Sequence, residues 1–195
     1  MATLFVDKLD PQSGTSLEIG TSGDTVTVPS GATFNVAGTL QSGGNAVANT
    51  AEFLAYISSD QTINHNSATK VTFQTESYDP DGVFDNSSNY RFVAPSAGKY
   101  MMYTNITVYD ASTDIEEFKI FFYKNGSKLT EAAWQKNSGN RLMKANLTTT
   151  LVLNLASSDY IEVYVYNNQV DSGSTVIEAQ SSIIQNYFGG YKLIT

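Results

Sequence analysis

Apolar residues in this chain fall mostly in short runs broken by Gly, Ser, Asn and Asp. No long stretch carries the 3.6-residue period of an amphipathic helix, so the chain must build its core from strands. The chain has 12 Tyr and 10 Phe, side chains that fit a pleated, half-buried surface. Two segments alternate cleanly. Leu147, Thr149, Leu151, Leu153 and Leu155 share one side of a strand, and Ile161, Val163 and Val165 oppose Tyr160, Glu162, Tyr164 and Tyr166. Further strands are expected over 53–57, 69–76, 90–93, 98–109, 117–124, 174–180 and 187–194, with Asn125-Gly126 as a two-residue hairpin turn after Lys124. Many short strands between turn signals predict an all-β sandwich or jelly roll.

The organisation changes near residue 50. No charged residue occurs from Thr25 to Ala51, and Ser-Gly pairs at 13–14, 22–23 and 30–31 each precede an alternating run. Three or four strands of about five residues, joined by tight glycine turns, are expected here. Their single apolar face carries Leu17, Ile19, Val26, Val28, Phe34 and Val36. Such a strip lacks a second layer. Three copies meeting at an axis could bury these faces, or the strip could pack back on its own C-terminal domain; the missing layer favours trimeric association. Gln41-Ser42-Gly43-Gly44-Asn45 is expected to be a flexible hinge. The expected organisation is therefore an N-terminal β-repeat region for attachment or trimerisation over 1–50 and an all-β domain over 51–195.

Charge narrows the function. The net charge is −8, with Lys and Arg scattered singly along the sequence, so no nucleic-acid partner is expected. The absence of cysteine removes disulfides, thiolate catalysis and Cys-based metal sites. No apolar run approaches membrane-spanning length, so no membrane insertion is expected. The charged opening segment, Met1 to Asp10, has no apolar signal core, which predicts synthesis in a cytoplasm without a cleaved export signal.

No catalytic constellation emerges. His65, the only histidine, lies in the polar segment Asn64-His65-Asn66-Ser67 and is expected to be a solvated loop residue. Asp79, Asp81 and Asp85 surround a Gly turn and could coordinate Ca²⁺, although Asp-Pro-Asp-Gly is also ordinary turn chemistry. Asp110, Asp114, Glu116 and Glu117 are expected as solvated charge in a loop. No other cofactor is implied. Two sets of residues suggest contact surfaces. Tyr160, Tyr164 and Tyr166 form an amphipathic ladder suited to an interface. Trp134, in an outer loop expected over 127–146, is a candidate ligand anchor or a side chain packing its own loop.

The order of several motifs resembles the globular head of complement component 1q, in the jelly-roll superfamily shared with tumour necrosis factor. They are Phe53-Leu54-Ala55-Tyr56-Ile57-Ser58, Val71-Thr72-Phe73, Tyr78-Asp79 and Phe84-Asp85, then Tyr90-Arg91-Phe92-Val93-Ala94-Pro95-Ser96-Ala97-Gly98-Lys99-Tyr100. Lys124-Asn125-Gly126, Leu151-Val152-Leu153, Ser158-Asp159-Tyr160-Ile161-Glu162-Val163 and Phe188-Gly189-Gly190-Tyr191-Lys192-Leu193 complete the set. The resemblance implies a ten-stranded jelly roll, a threefold axis lined with aromatic residues, and binding or assembly in place of catalysis. No collagen-like Gly-X-Y stalk precedes it.

The leader, Val6-Asp7-Lys8-Leu9-Asp10-Pro11 through Gly38-Thr39-Leu40, resembles that of virion structural proteins of marine tailed phages, cyanophages especially. It implies a non-enzymatic virion-surface homotrimer, made in the host cytoplasm, serving as tail fibre, head fibre or capsid decoration. Its partners would be its own copies, other virion proteins and a host surface glycan or receptor. The principal alternative is a free ligand- or carbohydrate-binding module of the same fold; an enzyme acting on surface polysaccharide is a third class.

Overall fold

The computed structural model describes residues 9, 13–38, 40–42, 45–46, 51–111, 115–137, 142–170 and 173–193. The leader residues 6–8 and 10–11, Thr39, Gly43, Gly44, Asp114 and the 138–141 part of the expected outer loop lie outside these. The chain forms two units, Met1–Val47 and Ala48–Thr195.

In the first unit the turns fall at the glycines. Gly14, Gly20, Gly23 and Gly31 have φ of 80°, 84°, 94° and 85°, which a side chain would disfavour. Turn bonds run from Asp24 N to the Thr21 carbonyl and from Ala32 N to the Pro29 carbonyl. The strands expected between these turns are not formed: among the described residues no ladder joins the runs over 13–38. A strand needs partner backbone in register, and among the described residues none of these runs has one. Leu17, Ile19, Val26, Val28, Phe34 and Val36 are exposed as a result. The expected hinge instead carries a small ladder, in which β1 (Gln41–Ser42) pairs antiparallel with β2 (Asn45–Ala46).

The second unit is entirely β among its described residues. Its strands are β3 (Glu52–Tyr56), β4 (Gln61–Asn64), β5 (Ala68–Lys70), β6 (Thr75–Tyr78), β7 (Phe84–Asp85), β8 (Arg91–Val93) and β9 (Gly98–Tyr109). They continue as β10 (Ile115–Lys124), β11 (Ser127–Lys136), β12 (Lys144–Leu155), β13 (Tyr160–Gln169), β14 (Ser174–Ile177) and β15 (Tyr187–Lys192). One sheet runs β4-β14-β9-β15-β3-β6 with β12 also on β9; the other runs β11-β10-β13-β8-β7 with β5 also on β13. Every strand-strand ladder is antiparallel. Two such sheets facing one another bury their inward side chains as a sandwich.

Phenylalanines dominate that core. Phe53 stacks on Phe84 at 4.9 Å and Phe92 at 5.3 Å, and meets the edge of Phe188 at 4.9 Å. The expected alternation of 160–167 holds for Ile161, Val163 and Val165, which are wholly buried, and for their half-buried tyrosine neighbours. Glu162, expected on the tyrosine face, is instead buried and paired with Lys70.

Two expectations are corrected. The single strand expected over 69–76 divides into β5 and β6, because the chain crosses here between sheets: β5 pairs with β13 and β6 with β3. The crossing backbone keeps its bonds through Val71 N to the Val163 carbonyl and Thr72 N to Gln61 Oε1. The outer loop expected over 127–146 is largely strand, so Trp134 stands on β11, not on a loop. Two register shifts against β10 break the alternation of β11, and bulges of this kind hide a strand from period counting.

Candidate interaction surfaces

The Asn125-Gly126 turn closes β10 onto β11, with φ of 52° and 76° at its two residues, as a type I′ hairpin requires. Asn125 also ties the turn to β13: its amide donates to Asp159 Oδ1, and its own Oδ1 accepts from Tyr160 N. The Asp159 carboxyl is held down to about 2 by Lys124, Asn125 and the Ala156 amide.

Past this hairpin, the register sets Trp134 of β11, Lys119 of β10 and Tyr166 of β13 in one row across three adjacent strands. The Lys119 ammonium lies 5.6 Å from the Trp134 ring and 5.5 Å from the Tyr166 ring, within cation–π range of both. Trp134 Nε1 donates to Glu117 Oε1 at 2.8 Å, and the Tyr166 hydroxyl donates to Asn66 Oδ1 at 2.6 Å. Lys119 pairs with Glu117 at 3.2 Å and Glu131 at 3.6 Å. Against partial burial, these carboxylates raise its pKa. The indole remains 58 % exposed.

The rest of the tyrosine ladder is occupied within the chain. Tyr164 stacks on Tyr123 at 4.0 Å, and the Arg91 guanidinium sits 4.1 Å from the Tyr160 ring. Burial, then the Glu162 charge, raises the Tyr164 phenol. Lys and Arg that are scattered in sequence thus gather here over aromatic rings, because antiparallel pairing brings distant strands side by side.

A second surface lies on the outward side of the other sheet. Leu54, Gly189 and Tyr103 stand in register on β3, β15 and β9. A Cβ at Gly189 would lie 2.5 Å from the Tyr103 ring, so the glycine lets that ring lie flat on the sheet. Tyr103 meets Tyr187 edge-on at 6.2 Å, and its hydroxyl lies 3.3 Å from that of Tyr78. Burial foremost, with the Tyr78 bond, pushes its phenol well above the ordinary range. A depression of about 300 Å³ is lined by Leu54, Tyr103, Ile184 and Tyr187. Ile183 and Ile184 beside it are exposed. None of these residues is singled out by sequence pattern; the paired Gly189-Gly190 in a strand was the available signal, since glycine inside a strand marks a close approach.

The acidic candidates have structural partners. Asp79 accepts from the amides of Val83 and Phe84. Asp85 accepts from those of Ser87, Ser88 and Asn89, which holds its carboxyl far below the usual range. Among the described residues no group of three or more His, Asp or Glu side chains is placed to hold a metal ion, so Asp79, Asp81 and Asp85 form no such set. Glu116 and Glu117, expected in a loop, lie on β10. Asp110 is buried and accepts from Gln169 Nε2. His65 is no free loop residue: its Nδ1 accepts from Gln169 N at 3.1 Å.

Searches by sequence find no match among protein-family models and none among curated proteins. Solved structures do match. The globular domain of zebrafish complement 1qA superposes with a TM-score of 0.51 at 12 % identity, over 73 % of this chain and 97 % of that one. The fold is a C1q/TNF-like jelly roll. Murine APRIL at pH 8.0 gives 0.52 at 12 % identity, over 73 % and 98 % of the two chains. Eiger TNF from S. frugiperda gives 0.50 at 15 %, over 73 % and 90 %.

Proposed function

We propose that this chain is a non-enzymatic binding module, a jelly roll that assembles as a homotrimer and presents a sheet face to a ligand. The apolar tyrosine surface around Tyr103 carries this reading. A patch in which Tyr78, Ile183 and Ile184 are exposed and Leu54 and Tyr187 half-buried is what a protein hides against another molecule. The resemblance to complement 1q and tumour necrosis factor implies that the other molecules are two further copies, packed through aromatic residues. The carboxylates also support binding over catalysis, because Asp79, Asp85, Asp159, Glu117 and Glu162 already hold amides or ammonium groups.

Chemical cross-linking of wild type, Tyr103→Glu and Ile184→Asp tests the assembly. Each variant places a charge in the proposed contact and should abolish the cross-linked trimer while the β-type circular dichroism persists. Trimers in both variants at wild-type yield would refute it.

A second reading is favoured by the exposed apolar strip of the first unit. Six large apolar side chains there, Leu17 to Val36, stand 37–68 % exposed, an arrangement suited to intertwining with sister strips or attaching to a particle. On this reading the protein is a phage virion-surface component, made in the host cytoplasm, with other virion proteins and a host glycan or receptor as partners. Labelled antibody on purified particles tests it; particles that carry no label contradict it.

A further inference from the structure

We infer that the Trp134–Lys119–Tyr166 row is a binding site for an uncharged oligosaccharide; this rests on the proposal that the chain is a binding module. Trp134 is the sole tryptophan of the chain. It combines two features that rarely coincide, since its indole is 58 % exposed yet fixed in place. The bond from Nε1 to Glu117 sets the plane of the ring, and the Lys119 ammonium braces it. An exposed ring fixed before contact loses little conformational entropy on binding.

The surrounding charges select the ligand. Glu117, Lys119 and Glu131 form a paired cluster beside the ring. An apolar partner would strip water from these three charges and return no hydrogen bonds. An anionic partner would meet no surplus of positive charge, because Glu131 also pairs with Lys128 and the two carboxylates offset the two ammonium groups. A hydroxyl-rich neutral molecule avoids both costs: its hydroxyls donate to the carboxylates and accept from the ammonium while the ion pairs stay closed. A pyranose ring also has a C–H face of slight positive potential, which packs on the negative face of an indole.

Extent follows from the register. Trp134 and Tyr166 flank Lys119 on neighbouring strands, and strands lie about 4.8 Å apart, so the two rings are roughly 10 Å apart across the sheet. That span suits more than one sugar unit. β11 ends its path of strands, so a chain can run off the sheet beyond Trp134.

The single tryptophan makes the site its own reporter. The full chain is titrated with neutral gluco-, manno- and galacto-oligosaccharides, reading tryptophan emission and acrylamide quenching. Calorimetry on Trp134→Ala and Glu131→Gln runs in parallel, and sedimentation gives the mass of each sample. The expected result is a shifted emission, reduced quenching, and affinity at least about tenfold weaker in Trp134→Ala. Glu131→Gln should weaken binding by less. Trp134→Ala removes an exposed side chain, so its circular dichroism should match wild type. Unchanged emission and quenching with every neutral sugar overturn the inference, as does calorimetric binding equal in wild type and Trp134→Ala. Because mass is read on the same samples, failure of sugar binding in an intact assembly overturns this inference and leaves the assembly proposal standing.

Discussion

Replacing Gly190 with alanine should destabilise the protein, and the structure says by how much. Gly190 lies on β15 between Phe53 of β3 and Met102 of β9. A Cβ there would sit 2.5 Å from Met102 Sδ, 2.9 Å from the Met101 carbonyl oxygen and 3.2 Å from Phe53 Cε1. The Met102 sulfur can swing away. The Met101 carbonyl belongs to the backbone of β9, and Phe53 is wedged between Phe84 and Phe188. Overpacking of this kind costs about 1–3 kcal/mol. Alanine recovers some of that, because it orders at roughly 0.5–1 kcal/mol less entropic cost than glycine. The net loss should centre on about 1 kcal/mol and reach about 2.5 kcal/mol at most, or a urea midpoint lower by roughly 0.5 M and at most about 1.2 M.

Gly189→Ala is the matched control. It has the same entropic gain, but its Cβ meets only the tip of the Tyr103 side chain on the outward face, which can lift off the sheet. At concentrations below assembly, where the Tyr103 ring is free to move, it should change stability by less than about 1 kcal/mol. Both variants are unfolded in urea at one such protein concentration, since assembly couples to stability by mass action. A Gly190→Ala midpoint at or above wild type would refute the packing argument, and so would a larger loss in Gly189→Ala.

Three further outcomes are expected. Phe53→Ala removes the ring at the centre of the phenylalanine cluster and should cost about 3–5 kcal/mol in the same assay; a loss below 1 kcal/mol would contradict that placement. Gly126→Ala forces a side chain into φ of 76° and within 3.2 Å of the Tyr160 hydroxyl oxygen, so thermal unfolding should show a loss of about 1 kcal/mol or more. For Asp159 the folded pKa of about 2 lies below the ordinary 3.8, so its stabilisation is present above about pH 5 and is lost as pH falls through 2. The gap in unfolding midpoint between wild type and Asp159→Asn should therefore close between those pH values, and a gap that stays constant would show that the charge plays no part.

The sandwich was legible wherever one strand face is core and the other solvent. β9 is expected and found over the same residues, and β13 shows the predicted alternation save at Glu162. β11 was illegible because it is an edge strand with two register shifts, and its Lys, Glu, Ala and Gln carry little β signal. The strip over 13–38 illustrates the converse. Its period is as clear as that of β13, yet alternation promises only a face, and a ladder also needs a partner. The candidate surfaces were partly visible. Trp134 and Tyr166 stood out by residue type, but Lys119 between them depends on pairing among three strands. Tyr103, Leu54 and Tyr187 are ordinary strand residues until the sheet sets them together.

Sedimentation equilibrium of the full chain, over a range of micromolar concentrations, tests the proposed assembly most directly. The proposal predicts a species of three times the 21.2 kDa chain mass, reduced to the chain mass by Tyr103→Glu. A wild-type protein that sediments only at the chain mass throughout that range would contradict it.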